Sequence, residues 1–144
     1  MSVYADTSLL ISYYILDSNS VSARGTINAL TNPLLFTGLH RLEMRNAFAL
    51  GVFRHVLTAA QASAAWSDVE RDLQSSRLVP HPVNWAPVYR SAAQYAAAHS
   101  PTIGCRSLDV LHITLAKTLK VGELFTFDAR QKALALALGM IVKP

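Results

Sequence analysis

The sequence predicts an α/β sandwich with a central, mostly parallel sheet flanked by helices. Short apolar runs of strand length alternate with longer segments of helical periodicity along the chain. With 51% of 144 residues hydrophobic and 15% charged, there is ample material for a core, which excludes disordered, collagen-like and solenoid classes. Neither a linker nor an internal repeat nor a low-complexity tract interrupts it, so one domain over residues 1–144 is expected.

Val3-Tyr4-Ala5 is a short apolar run that ends at Asp6. After Thr7-Ser8, the stretch from Leu9 to Leu16 is too long for an ordinary strand, so the order reads strand, turn, helix. Asp17-Ser18-Asn19-Ser20 is a polar break, and a second helix over Val21 to Leu30 is stopped by Thr31-Asn32-Pro33. Leu34 to Thr37 is the second strand. A helix follows Gly38, with Leu39, Leu42, Met44, Ala47, Phe48 and Val52 as its apolar residues and Glu43 in its early turns. Ala59 to Leu73 is amphipathic, with Trp66, Val69 and Leu73 as its stripe.

Leu78-Val79 is a weak third strand closed by Pro80-His81-Pro82, because proline cannot donate to a central ladder. Val88 to His99 is an Ala-rich helix terminated by Pro101 to Gly104. Ser107 is placed to N-cap a helix over Leu108 to Leu119, with Leu108, Leu111, Leu115 and Leu119 on one face. Glu123 to Phe127 is a strand, Ala129 to Leu138 a helix closed by Gly139, and Met140 to Val142 the last strand.

The formal net charge of +4 suits a polyanionic partner without demanding one. With Cys105 as the one cysteine, no intrachain disulfide forms, and a reducing cytoplasm is the natural compartment. Residues Met1 to Asp6 lack the basic region and apolar run of a signal peptide, and no apolar stretch approaches the ~20 residues that span a bilayer, so a cytoplasmic protein without a membrane partner is expected.

In a parallel α/β sheet, ligands bind outside the carboxyl ends of the strands. Four of the nine acids are expected at that rim: Asp6 after the first strand, Glu43 in the early turns of the helix after the second, Asp109 in the first turn of the Leu108 helix, and Asp128 after the fourth strand. Each alone has a simpler explanation, since an acid at a helix start is favoured by unpaired N–H groups and the helix dipole. Glu43 also has Arg41 and Arg45 as potential partners. The conjunction points elsewhere. Convergent carboxylates repel unless a cation is bound, and hard oxygen donors suit Mg²⁺ or Mn²⁺ better than zinc.

Arg41 and Arg45, one turn apart beside Glu43, suit either RNA phosphate contacts or a solvated face. His112 reads as a packed, hydrogen-bonded histidine and Cys105 as structural. Thr7, Ser8 and Thr126 adjoin the acids and either orient them or cap helices. The Ala92 to Ala98 run suits a subunit interface and an intramolecular contact equally.

Tyr4-Ala5-Asp6-Thr7-Ser8-Leu9-Leu10, Arg41-Leu42-Glu43-Met44-Arg45-Asn46-Ala47, Ser107-Leu108-Asp109-Val110-Leu111-His112 and Phe125-Thr126-Phe127-Asp128-Ala129-Arg130 resemble, in order, the acidic motifs of PIN-domain ribonucleases. The stretches around Asp109 and from Thr126 to Val142 look most like the VapC-type toxins of toxin-antitoxin pairs. That resemblance implies a PIN-like fold, and catalytic and metal-binding roles for Asp6, Glu43, Asp109 and Asp128, with Thr7, Ser8 and Thr126 supporting. It also implies a homodimer and a cognate antitoxin. Residues 59–101 match no motif, and they leave the target RNA undefined.

The expected function is a Mg²⁺- or Mn²⁺-dependent endoribonuclease in which water attacks phosphorus in line, leaving 5′-phosphate and 3′-hydroxyl ends. A PIN nuclease of RNA processing or DNA flap cleavage is the nearest alternative, and a non-catalytic RNA-binding module a remoter one. A receiver domain is disfavoured because Leu78-Val79 is followed by Pro80 rather than an acid, and a nucleotide-binding module because no Gly-rich phosphate loop is present.

Overall fold

The computed structural model describes every residue from Met1 to Pro144. In chain order the elements are β1 (Val3–Ala5), α1 (Thr7–Tyr14), α2 (Ser20–Asn28), β2 (Leu34–Phe36), α3 (Gly38–Phe53), α4 (Ala59–Gln74), β3 (Leu78–Pro80), α5 (Trp85–Ile103), α6 (Ser107–Thr118), β4 (Glu123–Phe125), α7 (Ala129–Ala137) and β5 (Val142–Lys143). The fold is α/β as the sequence predicts, with five short strands, all parallel, and seven helices. No helix is long and apolar enough to cross a membrane.

The chain divides into two compact units. One comprises Met1–Asp6 and Val83–Pro144, the other Thr7–Pro82. In the first, β4 lies between β1 and β5, with Val3 opposite Glu123, Ala5 opposite Phe125, and Leu124 opposite Val142. The backbone N–H of Asp6 donates to the Phe125 carbonyl at 3.0 Å, carrying this pairing one residue past β1. Helix α6 packs against both α5 and α7. That explains why it is buried from Asp109 to Ala116 on all sides rather than along one leucine stripe, while Leu108 at its start is exposed.

In the second unit, β2 and β3 pair from Leu34 opposite Leu78 to Phe36 opposite Pro80. Pro80 brings no N–H, and His81 resumes the bonding by donating to the Phe36 carbonyl at 2.8 Å. Helix α1 packs on α2 and α3, and α3 on α4. The core face of α3 is Leu39, Met44 and Phe48; Leu42, expected among its apolar residues, is 68% exposed.

Several boundaries depart from the sequence reading for local reasons. Helix α1 begins at Thr7, not Leu9, because first-turn N–H groups lack helical partners anyway and polar residues are accepted there. Helix α5 runs through Pro101, whose ring suits helical φ and forfeits one bond in the final turns; Gly104 ends it in the left-handed region at φ 73°. Ser107 is the first residue of α6 rather than its cap, which is Arg106. Gly139, at φ 73°, is followed by Met140 donating back to the Ala135 carbonyl at 2.9 Å, so β5 starts only at Val142.

Candidate active site

In the first unit a continuous hydrogen-bonded chain links three of the four expected acids. Asp6, 0% exposed, follows β1, and its Oδ2 accepts from the Thr126 hydroxyl at 2.8 Å. The same hydroxyl accepts the Asp128 backbone N–H at 3.0 Å. Asp128 N-caps α7, its Oδ1 accepting the Gln131 N–H at 2.9 Å. The Gln131 side chain then donates through Nε2 to Asp109 Oδ1 at 3.2 Å. Asp109 is 3% exposed, held in the first turn of α6.

Arg106 supplies the compensating charge. Its backbone N–H and its Nε donate to Asp109 Oδ2 at 3.0 and 3.1 Å, its Nη2 lies 3.5 Å from Asp109 Oδ1, and that nitrogen is 3.7 Å from Asp128 Oδ2. Burial works against the charged form of Asp109. The Arg106 side-chain and backbone hydrogen bonds and the Gln131 amide outweigh it, so its carboxyl lies below the usual carboxylate range. Asp109 in turn pushes the Arg106 guanidinium above its ordinary value. The cap explanation therefore holds for Asp109 and Asp128, and both also answer to one guanidinium.

The second unit holds Glu43, whose Oε1 accepts from the Thr7 hydroxyl at 2.8 Å. Thr7 is buried and Ser8 exposed in the first turn of α1. The Arg45 guanidinium lies over the Trp66 ring, 3.8 Å from its centroid, and Arg41 lies 5.5 Å from both the Trp66 and Phe36 centroids. Both arginines are exposed. Stacking occupies a guanidinium's face and leaves its in-plane N–H edge for an oxyanion.

His112 is buried, its Nδ1 2.7 Å from the Tyr4 hydroxyl, the packed histidine expected. The Cys105 thiol lies 3.7 Å from the Arg130 carbonyl, and burial, then the charges of Asp109 and Asp128, push it up.

The PIN-domain model matches residues 3–136. The chain belongs to the PIN-domain family. Solved PIN-like structures agree over nearly the whole chain. Mycobacterium tuberculosis VapC20, a sarcin-ricin loop cleaving toxin, superposes with a TM-score of 0.70 at 15% identity, covering 99% of each chain. Rickettsia felis VapBC2 bound to a DNA fragment from its promoter gives 0.70 at 14%, covering 99% of this chain and 98% of that one. FitAcB from Neisseria gonorrhoeae gives 0.62 at 16%, covering 99% and 96%. At these identities the likeness is one of fold. No curated protein matches the sequence significantly.

PIN nucleases generally use a divalent metal. The donor chemistry here fits one: the linked acids offer hard carboxylate oxygens, the preferred ligands of Mg²⁺ and Mn²⁺. No group of three or more His, Cys, Asp or Glu side chains is gathered closely enough to hold an ion. In the first unit the Arg106 guanidinium bridges Asp109 and Asp128. The Arg106 side chain is 69% exposed, which leaves it room to withdraw.

Arg106 and Gln131 are the site residues that sequence reasoning passed over. Asp128-Ala129-Arg130-Gln131 has the acid-x-x-Gln spacing of a capping pair, and Arg106 stands three residues before Asp109. Both signals were local; the reach of Gln131 to Asp109 depends on the packing of α7 against α6.

Proposed function

We propose that this PIN-domain protein is a divalent-metal-dependent endoribonuclease and the toxin of a type II toxin-antitoxin pair. The hydrogen-bonded chain through Asp6, Thr126, Asp128, Gln131 and Asp109, on a PIN fold, is the observation that supports it. Asp6, Asp109 and Asp128 are the proposed ligands, with Glu43 the fourth acid carried over from the family resemblance. Bound there, Mg²⁺ or Mn²⁺ supplies an activated water and neutralises charge on the phosphoryl oxygens.

The protein's own part is orientation. Thr126 fixes Asp6, the first turn of α7 fixes Asp128, and Gln131 fixes Asp109, so each carboxylate has a set orientation. Thr7 does the same for Glu43, and Ser8 adjoins it in the first turn of α1. Arg106 holds the charge of Asp109 and Asp128, the place a bound cation would take over. Arg41 and Arg45 are proposed RNA phosphate contacts, both exposed beside the Trp66 ring.

A cognate antitoxin follows from the same reading, supported by the VapBC2 and FitAB complexes among the solved neighbours, and the homodimer rests on the family resemblance. Leu16, Phe53 and Val56 expose apolar surface of the sort that protein partners cover.

The deciding experiment offers purified protein structured RNA, single-stranded RNA and a DNA flap, each with Mg²⁺ or EDTA, alongside Asp109→Asn. RNA cleavage that needs the metal, fails in the variant and leaves 5′-phosphate ends is expected. Undiminished RNA cleavage in EDTA refutes the mechanism, and cleavage of the flap alone moves the function to DNA.

A further inference from the structure

We infer that Gln131 is a positioning residue of the acid cluster, holding Asp109 at the cost of an unsatisfied buried oxygen of its own; this rests on the metal-centre reading above. Gln131, Leu134 and Ala135 form the buried face of α7 at helical spacing. Position 131 is only 5% exposed, and on such a face the pattern calls for an aliphatic residue. Its Oε1 is the one buried side-chain polar atom in the protein with no hydrogen-bond partner. A side chain of similar volume without the amide would remove that orphaned oxygen, at the cost of the donor on Asp109 Oδ1.

The orientation of the amide is set by its neighbour. Turning it over would place Oε1 against the Asp109 carboxylate, so Nε2 must face Oδ1, where it donates at 3.2 Å. The orphaned oxygen is the consequence of making that bond. No other side-chain interaction of Gln131 offsets it, because its contact with Asp128 is through the backbone N–H.

Asp109 has two side-chain neighbours that donate to it. Arg106 approaches with a side chain that is 69% exposed, whereas Gln131 approaches from the packed interior. Were Arg106 displaced by a cation, the buried Gln131 contact would still orient Asp109. Local rules of burial are most often broken where function needs the residue, and this position breaks one.

Wild type, Gln131→Met and Gln131→Leu are compared in two measurements: melting in EDTA, and Mn²⁺ affinity by electron paramagnetic resonance on the metal alone. Both variants are expected to melt near the wild-type temperature, because relief of the orphaned oxygen offsets the lost bond to Asp109, and to bind Mn²⁺ about tenfold more weakly, the usual scale for removing a residue that orients a ligand. Unchanged Mn²⁺ affinity in either folded variant overturns the inference. So does weaker binding together with a lower melting temperature, since general loosening then explains both. A folded wild type that binds no Mn²⁺ overturns the metal centre itself, before any variant is considered.

Discussion

Replacing Asp109 by Asn keeps the shape of the side chain and removes its charge. Repulsion among acids alone would make the metal-free variant more stable. The contacts of Asp109 reverse that expectation. Both of its oxygens face donors: Oδ2 the Arg106 backbone N–H and Nε, Oδ1 the Gln131 Nε2 and the Arg106 Nη2. An asparagine presents an NH₂ on one side: either it faces the Arg106 N–H, or Gln131 turns its amide over to accept from it and leaves its own Nε2 without an acceptor. Leaving aside the exposed guanidinium, one inward donor, the Arg106 N–H or the Gln131 amide, loses its acceptor, which costs about 1–3 kcal/mol.

Urea denaturation in EDTA reads this directly. Because the Asp109 carboxyl lies below its ordinary value, its stabilisation is fully present above the unfolded value of about 4 and is lost as pH falls through the lower folded value. The gap between wild type and variant is therefore constant near neutrality and closes below about pH 4. Mg²⁺ at a hundred times Kd stabilises the wild type by about 2.7 kcal/mol and the variant by much less. A variant as stable as wild type in EDTA, with an equal magnesium shift, refutes both the contact argument and the metal centre.

Thr126→Val removes the hydroxyl that donates to Asp6 and accepts from the Asp128 N–H, so it loses about 1–3 kcal/mol in denaturant titrations; a valine variant with wild-type stability and cleavage would disprove the clamp. Arg106→Met removes the cation that competes for Asp109 and Asp128, so calorimetry is expected to show tighter Mg²⁺ binding, and weaker or equal binding counts against the displacement model. Tyr14→Phe loses the 2.6 Å hydrogen bond to Asp72 and about 1 kcal/mol, with RNA cleavage unchanged; a loss of cleavage at full folding would place Tyr14 in the site. In cells, expression without the antitoxin is expected to arrest growth, and Asp6→Asn or Asp109→Asn to relieve it at equal soluble abundance; two variants as toxic as wild type would remove the toxin reading.

The alternation of strands and helices was legible because each rests on a local apolar pattern. Val3 to Ala5 and Leu34 to Phe36 are apolar runs that become buried strands. Patterns that depend on packing were less so. The stripe read on α6 became a helix buried all round because α5 and α7 both cover it, and Leu42 fits an apolar series by spacing yet faces solvent. Pro101 is a breaker by rule, but in a final turn it forfeits one bond rather than the helix. The position of β5 turned on the left-handed turn at Gly139, which holds Met140 in the helix end.

The acids were conspicuous in sequence because a carboxylate beside a strand end is unusual enough to count. What sequence could not weigh was cap against ligand, since the two were treated as rivals. The geometry makes them compatible. Asp128 uses Oδ1 on the Gln131 N–H and turns Oδ2 toward Arg106 at 3.7 Å, so capping fixes the carboxylate while leaving its second oxygen toward a cation. The helix start stabilises an acid whose charge a site can use, which lets one residue serve folding and chemistry together. Gln131 marks the opposite arrangement, with folding and site demands in opposition at one side chain. Its unsatisfied Oε1 exposes that conflict, which a polar residue on a buried helical face only hints at in sequence.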